Sequence, residues 1–155
     1  MSVAFRRESD DEHKEPKFEL PLPSGPNLVT ARGLAAIEAK VAELEAIEAA
    51  AMTEDARAAH LRTLRYWRTR LATAQPTPPP AADEIAFGSR VVFRLAGETR
   101  TIDIVGDDEA DPAAGRIAFS APLARVLIGG YAGERIDFGG KAEAIEIVST
   151  APIPD

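Results

Sequence analysis

Residues Thr30 to Gln75 read TARGLAAIEAKVAELEAIEAAAMTEDARAAHLRTLRYWRTRLATAQ, and their spacing decides the first half of the fold. Leu34, Ile37, Val41, Leu44 and Ile47 recur at steps of three and four among Glu38, Lys40, Glu43, Glu45 and Glu48, which makes one apolar stripe on a polar helix. Thr30 is placed to cap it. The pattern weakens through Ala49-Ala50-Ala51-Met52, and Thr53 followed by Glu54 and Asp55 reads as a second cap with acids in the first turn. The second stripe is Leu61, Leu64, Trp67 or Arg68, and Leu71. Two amphipathic helices separated by so short a break bury their stripes most simply by folding back on each other, so residues 27–75 are predicted to form an antiparallel helical hairpin, a short coiled coil. From Thr30 to Ala51 there are four acids against two bases, and from Thr53 to Gln75 five arginines against two acids, so charges can meet across the seam.

Outward from the hairpin, residues 1–26 mix Arg6, Arg7, Glu8, Asp10, Asp11, Glu12 and Lys14 with Pro16, Pro21, Pro23 and Pro26 and carry almost no apolar period. They are expected to form a disordered tail, because such a segment buries too little surface to offset the entropy of ordering it. Its Phe18-Glu19-Leu20-Pro21-Leu22-Pro23 piece is the one part suited to docking on a partner or on the folded body. On the other side, residues 76–84 read as a proline-rich linker, extended by Pro76, Pro78, Pro79 and Pro80. The period then becomes that of strands, in Val91 to Phe93, Thr101 to Val105, Arg116 to Phe119, Glu134 to Phe138 and Ala142 to Val148. Pro122 to Ile128 before Gly129-Gly130 reads as a short helix with proline in its first turn. The expectation is an α+β protein: a hairpin, then a small antiparallel sheet domain with one short helix over 85–150.

Composition narrows the function. The chain has 155 residues, 45% of them apolar, a formal charge of −7, no cysteine and two histidines. No cysteine excludes a disulfide scaffold, a zinc ribbon, an iron–sulfur cluster and a thiol nucleophile. His13 and His60 lie too far apart in sequence to suggest a ligand pair or a base. No run reaches the roughly 18–20 apolar residues of a membrane-spanning helix, and the first residues hold no apolar block of a secretory signal, so the protein is expected in the cytoplasm, away from membranes. The acidic balance argues against broad binding to nucleic-acid phosphates. The arginines of the second helix, interleaved with Tyr66 and Trp67, are expected to pair with Glu38, Glu43, Glu45 and Glu48 of the first helix; the alternative is a nucleic-acid or channel-lining face. Asp107-Asp108-Glu109-Ala110-Asp111 lacks the ligand spacing of a calcium loop and reads as a solvated turn.

Several blocks carry a resemblance. Ile104-Val105-Gly106-Asp107-Asp108-Glu109-Ala110-Asp111, then Gly115 to Gly129, then Gly133-Glu134 resembles the C-terminal domain of the Gre transcription factors, with its V-G-x-D-E-A-D, I-S-x-x-S-P-x-A-R-A-L-x-G and G-D stretches in this order. Leu28-Val29-Thr30-Ala31-Arg32-Gly33-Leu34 is similar to that family's entry into its first helix. The resemblance implies a coiled-coil hairpin joined to an FKBP-like domain that docks on RNA polymerase at the rim of the secondary channel, as a monomer. It also implies a hairpin that enters the channel, with indirect contact to nascent RNA and DNA.

In the cleavage-stimulating members of that family, acids at the hairpin tip help hold a magnesium ion shared with the polymerase active site. Their tip has the form G-D-x-x-E-N-A-E-Y. The corresponding stretch here is Ala51 to His60, whose only acids are the adjacent Glu54 and Asp55, and side chains at i and i+1 diverge on a helix. The shorter arms and altered tip are also similar to Rnk-type regulators. By carry-over, the polymerase-binding edge lies around Ser120, Ala121, Pro122, Leu123 and Arg125. The expected function is therefore that of a non-enzymatic elongation regulator modulating pausing or backtracking, with no cofactor of its own. Glu54 and Asp55 are the tip candidates for the alternative, magnesium-assisted transcript cleavage. A remote alternative is a prolyl isomerase, for which Phe87, Phe93, Phe119, Tyr131 and Phe138 would have to line a pocket.

Overall fold

The structure, a computed structural model, describes residues 19–154. A two-residue strand, β1 (Leu28–Val29), leads into helix α1 (Ala31–Glu45); helix α2 (Glu54–Thr73) follows and ends at strand β2 (Gln75–Pro76). Thr30 and Thr53 cap the helices as their sequence positions require: the Thr30 hydroxyl oxygen accepts from Gly33 N at 2.9 Å and that of Thr53 from Ala56 N at 3.2 Å. Ile37, Val41 and Leu44 of α1 are buried, as is Leu64 of α2. Ile47 lies past the end of α1 and is 41% exposed, and Leu61 is 39% exposed, so the predicted stripes are uncovered at these two tip-side positions. Arg68 and Glu45 meet at 2.7 Å. Helical side chains lean toward their own N-terminus, so in an antiparallel pair Arg68 reaches toward the tip and Glu45 toward the root.

The remaining strands are β3 (Ser89–Leu95), β4 (Glu98–Val105), β5 (Arg116–Ala118), β6 (Arg135–Phe138) and β7 (Lys141–Pro152), with helix α3 (Pro122–Leu127) between β5 and β6. The sheet order is β5-β4-β3-β7-β6. It is not wholly antiparallel as expected: β5 runs parallel to β4, with Asp103 opposite Arg116 and Val105 opposite Ala118. The reason is the connection 106–115, which carries the chain back to the level of Asp103 through a short turn at Pro112–Ala114 and a left-handed Gly115 with φ 81°. Ile85, Val91, Phe93, Ile104, Ala124, Leu127 and Ile145 are 0% exposed and form the core between the sheet and α3.

The halves are in contact. β1 pairs in parallel with β2, so Pro76, read as the start of the linker, lies beside Val29 at the hairpin root. The expected tail divides: residues 1–18, with His13, lie outside the described residues, whereas Glu19 to Pro26 rests on α2, with Glu19 bound to Arg65. Among the described residues no helix is long and apolar enough to cross a membrane.

Candidate partner-binding surface, hairpin tip and their joint

The α3 turn is built from the sheet outward. After β5, Phe119 N donates to Val105 O and Ala121 N to Ala118 O, which turns the chain off the sheet. Pro122 then starts α3 at the position where no N–H is needed. Ala124 and Leu127 are fully buried. Leu123 packs against the core as well, so of the five residues expected at the partner edge, Leu123 faces inward and Ala121 is half-buried. Ser120, Pro122 and Arg125 are exposed, and Ile128, one step of three beyond Arg125, is 40% exposed. The Ser120 hydroxyl donates to Asp107 Oδ1 at 2.7 Å, which fixes the turn relative to the β4–β5 connection. Tyr131, named from the sequence among the aromatics of a proline pocket, is 47% exposed and donates its hydroxyl to Glu84 Oε1 at 3.1 Å. That hydrogen bond raises the pKa of its phenol.

At the other end, the tip is closed by a short turn at Ala49–Ala51 before Thr53. Arg57 holds it: Nε donates to Ala49 O at 3.2 Å and Nη2 to Met52 O at 3.3 Å. Glu54 and Asp55 are exposed in the first turn of α2. Successive positions on a helix point about 100° apart, so the two side chains leave the helix in different directions. Among the described residues no group of three or more His, Asp or Glu side chains is placed to hold a metal ion.

The joint between hairpin and sheet domain was missed by sequence reasoning. Asp108 is not part of a solvated turn: its Oδ2 accepts from Arg70 Nε at 2.5 Å and its Oδ1 from the Tyr66 hydroxyl at 2.6 Å. Arg70 also donates to Asn27 Oδ1 at 2.8 Å, and Asn27 Nδ2 donates to Arg70 O at 2.8 Å. Burial, with the hydrogen bond to Asp108 second, pushes the Tyr66 phenol up to about 12. Beside this network the Thr30 hydroxyl donates to Glu109 Oε1 at 2.7 Å. Two glycines make the approach possible: a Cβ on Gly106 would sit 2.4 Å from Leu28 O, and one on Gly33 would sit 2.7 Å from Glu109 Oε1. The expected pairing of the α2 arginines with α1 acids holds for Arg68 with Glu45; Arg57, Arg65 and Arg70 are bound to the tip, to Glu19 and to Asp108.

Between α1, the linker and the sheet domain lies a cleft of about 690 Å³, walled by Arg32, Pro78, Pro79, Asp103, Glu109 and Ile153 among others. None of the five aromatic residues considered for a proline pocket lines it. Phe93 is fully buried, and Phe87 packs edge to face on Phe119 at 5.5 Å.

The family described as "Transcription elongation factor, GreA/GreB, C-term" matches residues 79–151. Transcription elongation factor GreA of Rhizobium etli is 43% identical over 75 residues, which covers 46% of this chain and 48% of that protein. GreA of Lactococcus lactis subsp. cremoris is 48% identical over 59 residues, 37% and 38% of the two chains. The chain thus spans about half the length, or less, of the curated relatives it matches. Among solved structures, GreA/GreB from Nitrosomonas europaea is similar at TM-score 0.40 and 19% identity over 81% of this chain and 98% of that one. GreA factor homolog 1 of Thermus thermophilus is similar at TM-score 0.37 and 16% identity over 81% and 99%. Residues 79–151 are thus similar to the C-terminal domain of the GreA/GreB family.

Proposed function

We propose that this protein is a transcription elongation regulator that binds RNA polymerase at the secondary channel through its sheet domain and modulates pausing or backtracking without efficient transcript cleavage. The observation that carries the reading is the exposed row Pro122, Arg125 and Ile128 on a domain similar to the GreA/GreB C-terminal domain, whose relatives named above are transcription elongation factors. A row with a cation beside two apolar groups, standing on a buried Ala124 and Leu127, is a rigid surface for a protein partner.

Placing an ion demands close geometry from groups aimed at one point. Glu54 and Asp55 point apart, and their position in the first turn of α2 already accounts for them as acids that favour a helix N-terminus. The hairpin then acts by occupying the channel.

The test is the RNA length distribution in backtracked elongation complexes containing magnesium, with this protein alone and together with a cleavage-competent factor. The expected result is no short 3′ fragments alone and suppression of the other factor's cleavage. Short fragments with this protein alone, lost on replacing Glu54 and Asp55 by alanine, would sink the non-cleaving reading.

A further inference from the structure

The segment Glu19 to Pro26 lies along one face of α2. The α2 residues that line the cavities beneath it include Arg65, Tyr66, Thr69 and Thr73; Arg65, Thr69 and Thr73 follow at steps of four and Tyr66 lies three before Thr69, so Thr69 and Thr73 are bordered by both Arg65 and Tyr66 along the helix. At its start, Glu19 takes a two-pronged bond from Arg65, at 2.5 Å from Nε and 3.2 Å from Nη2. At its exit, the buried Asn27 is tied to Arg70 and Thr73.

Between these anchors the segment is held loosely. The Arg65 and Glu19 side chains are 53% and 60% exposed, the range in which an ion pair contributes little. Leu20 and Leu22 are 41% and 51% exposed, and cavities of about 160 and 190 Å³ remain between the segment and the helix. Few buried apolar contacts and exposed anchoring bonds mark a unit that opens without unfolding the rest. Pro21, Pro23 and Pro26 keep the opened segment extended, so it loses little freedom on closing again. Gly25, with φ 85°, supplies the bend between the segment and the root.

We propose that residues 19–26 are a displaceable cover on the root half of the hairpin, competing with RNA polymerase for this face of α2. The competition rests on the reading that the hairpin enters the polymerase. While closed, the cover adds a chain layer to the hairpin and neutralises Arg65 with Glu19. When open, it presents Arg65 to an acidic protein surface, and the hairpin narrows to its two helices.

The experiment uses the full chain, which has no cysteine of its own. A bimane on Leu20→Cys reports closure through quenching by Tyr66, which lines the same cavity. Quenching should fall in Glu19→Arg and in Arg65→Glu, and return in the double reversal, by about two- to five-fold in the closed-to-open ratio. Failure of the double reversal to restore it overturns the cover. For competition, Leu20→Cys with Thr69→Cys is joined by a short thiol crosslinker, and polymerase affinity is compared before and after linking. Locking should weaken binding about five-fold or more, and Glu19→Arg should strengthen it. Equal affinity of locked and open chains overturns the competition while leaving the polymerase reading intact. No binding by any form, open chain included, overturns that reading and the competition with it.

Discussion

Asp108, on the connection after β4, and Arg70, near the end of α2, form an ion pair at 2.5 Å with 9% and 4% of their side chains exposed. The pair joins the two halves of the protein, and it is flanked by Tyr66, which donates to Asp108, and Asn27, which accepts from Arg70. A buried charge is tolerated when a counter-charge and hydrogen bonds accompany it, so removing one member is far worse than never having had the pair.

Asp108→Ala is therefore expected to lower the unfolding free energy by about 3–5 kcal/mol, because it leaves the Arg70 guanidinium buried without its counter-charge. Denaturant unfolding followed by circular dichroism checks this. A loss below about 1 kcal/mol, the value of a surface pair, would show that the joint is open in solution.

Tyr66 makes the joint sensitive to alkali. Its folded pKa, about 12, lies above the ordinary value of 10.0, so the folded state holds the phenolic proton more tightly than the unfolded state. Its contribution is complete below pH 10 and is lost as the pH climbs toward 12, where unfolding releases the proton. Thermal midpoints measured across that interval should fall less steeply in Tyr66→Phe than in the parent. Equal slopes would mean the phenol is not held by Asp108.

Gly106 tests the close approach of the two halves by sterics alone. A Cβ there meets the Leu28 carbonyl oxygen at 2.4 Å, and backbone cannot move aside as a side chain can. Gly106→Ala should destabilise by about 1–3 kcal/mol, as overpacking does, and should raise amide exchange in β1 and at the root of α1. Unchanged exchange there would argue against the contact.

The α3 row separates binding from stability. Arg125→Glu should leave the melting temperature within about 2 °C, because an exposed substitution away from special features changes stability by less than about 0.5 kcal/mol. It should weaken polymerase binding about ten-fold or more by reversing the charge at the contact. Leu123→Ala should do the opposite, costing about 2 kcal/mol through lost packing with little direct effect on the contact. If Arg125→Glu binds as the parent does, the docking surface lies elsewhere.

Much of the architecture was legible in sequence because it depends on local period and local chemistry. The stripe Ile37, Val41, Leu44, the caps Thr30 and Thr53, and the proline at the start of α3 all act within a turn or two of chain. The blocks that carried the family resemblance were legible as a pattern but not as a structure. Asp108 sits in an acidic run that, read alone, belongs in solvent, and Arg70 in a row of arginines that reads as pairing with the acids of α1. Likewise β5 was legible as a strand but not in its direction, since a strand's period is the same whether its neighbour runs parallel or antiparallel.

What the sequence by itself determined is therefore the main helices and strands and the caps of the hairpin, since these follow from spacings within one helix, strand or turn. Only the tertiary structure decided that Val105-Gly106-Asp107-Asp108-Glu109 and Leu28-Val29-Thr30-Ala31-Arg32-Gly33 are the two faces of one joint, and that Glu19 belongs on Arg65. Partners 38 to 79 positions apart leave no period for a sequence to display. A buried pair is written in the same residue types as a solvated one, and the difference arises when the fold removes the water between them.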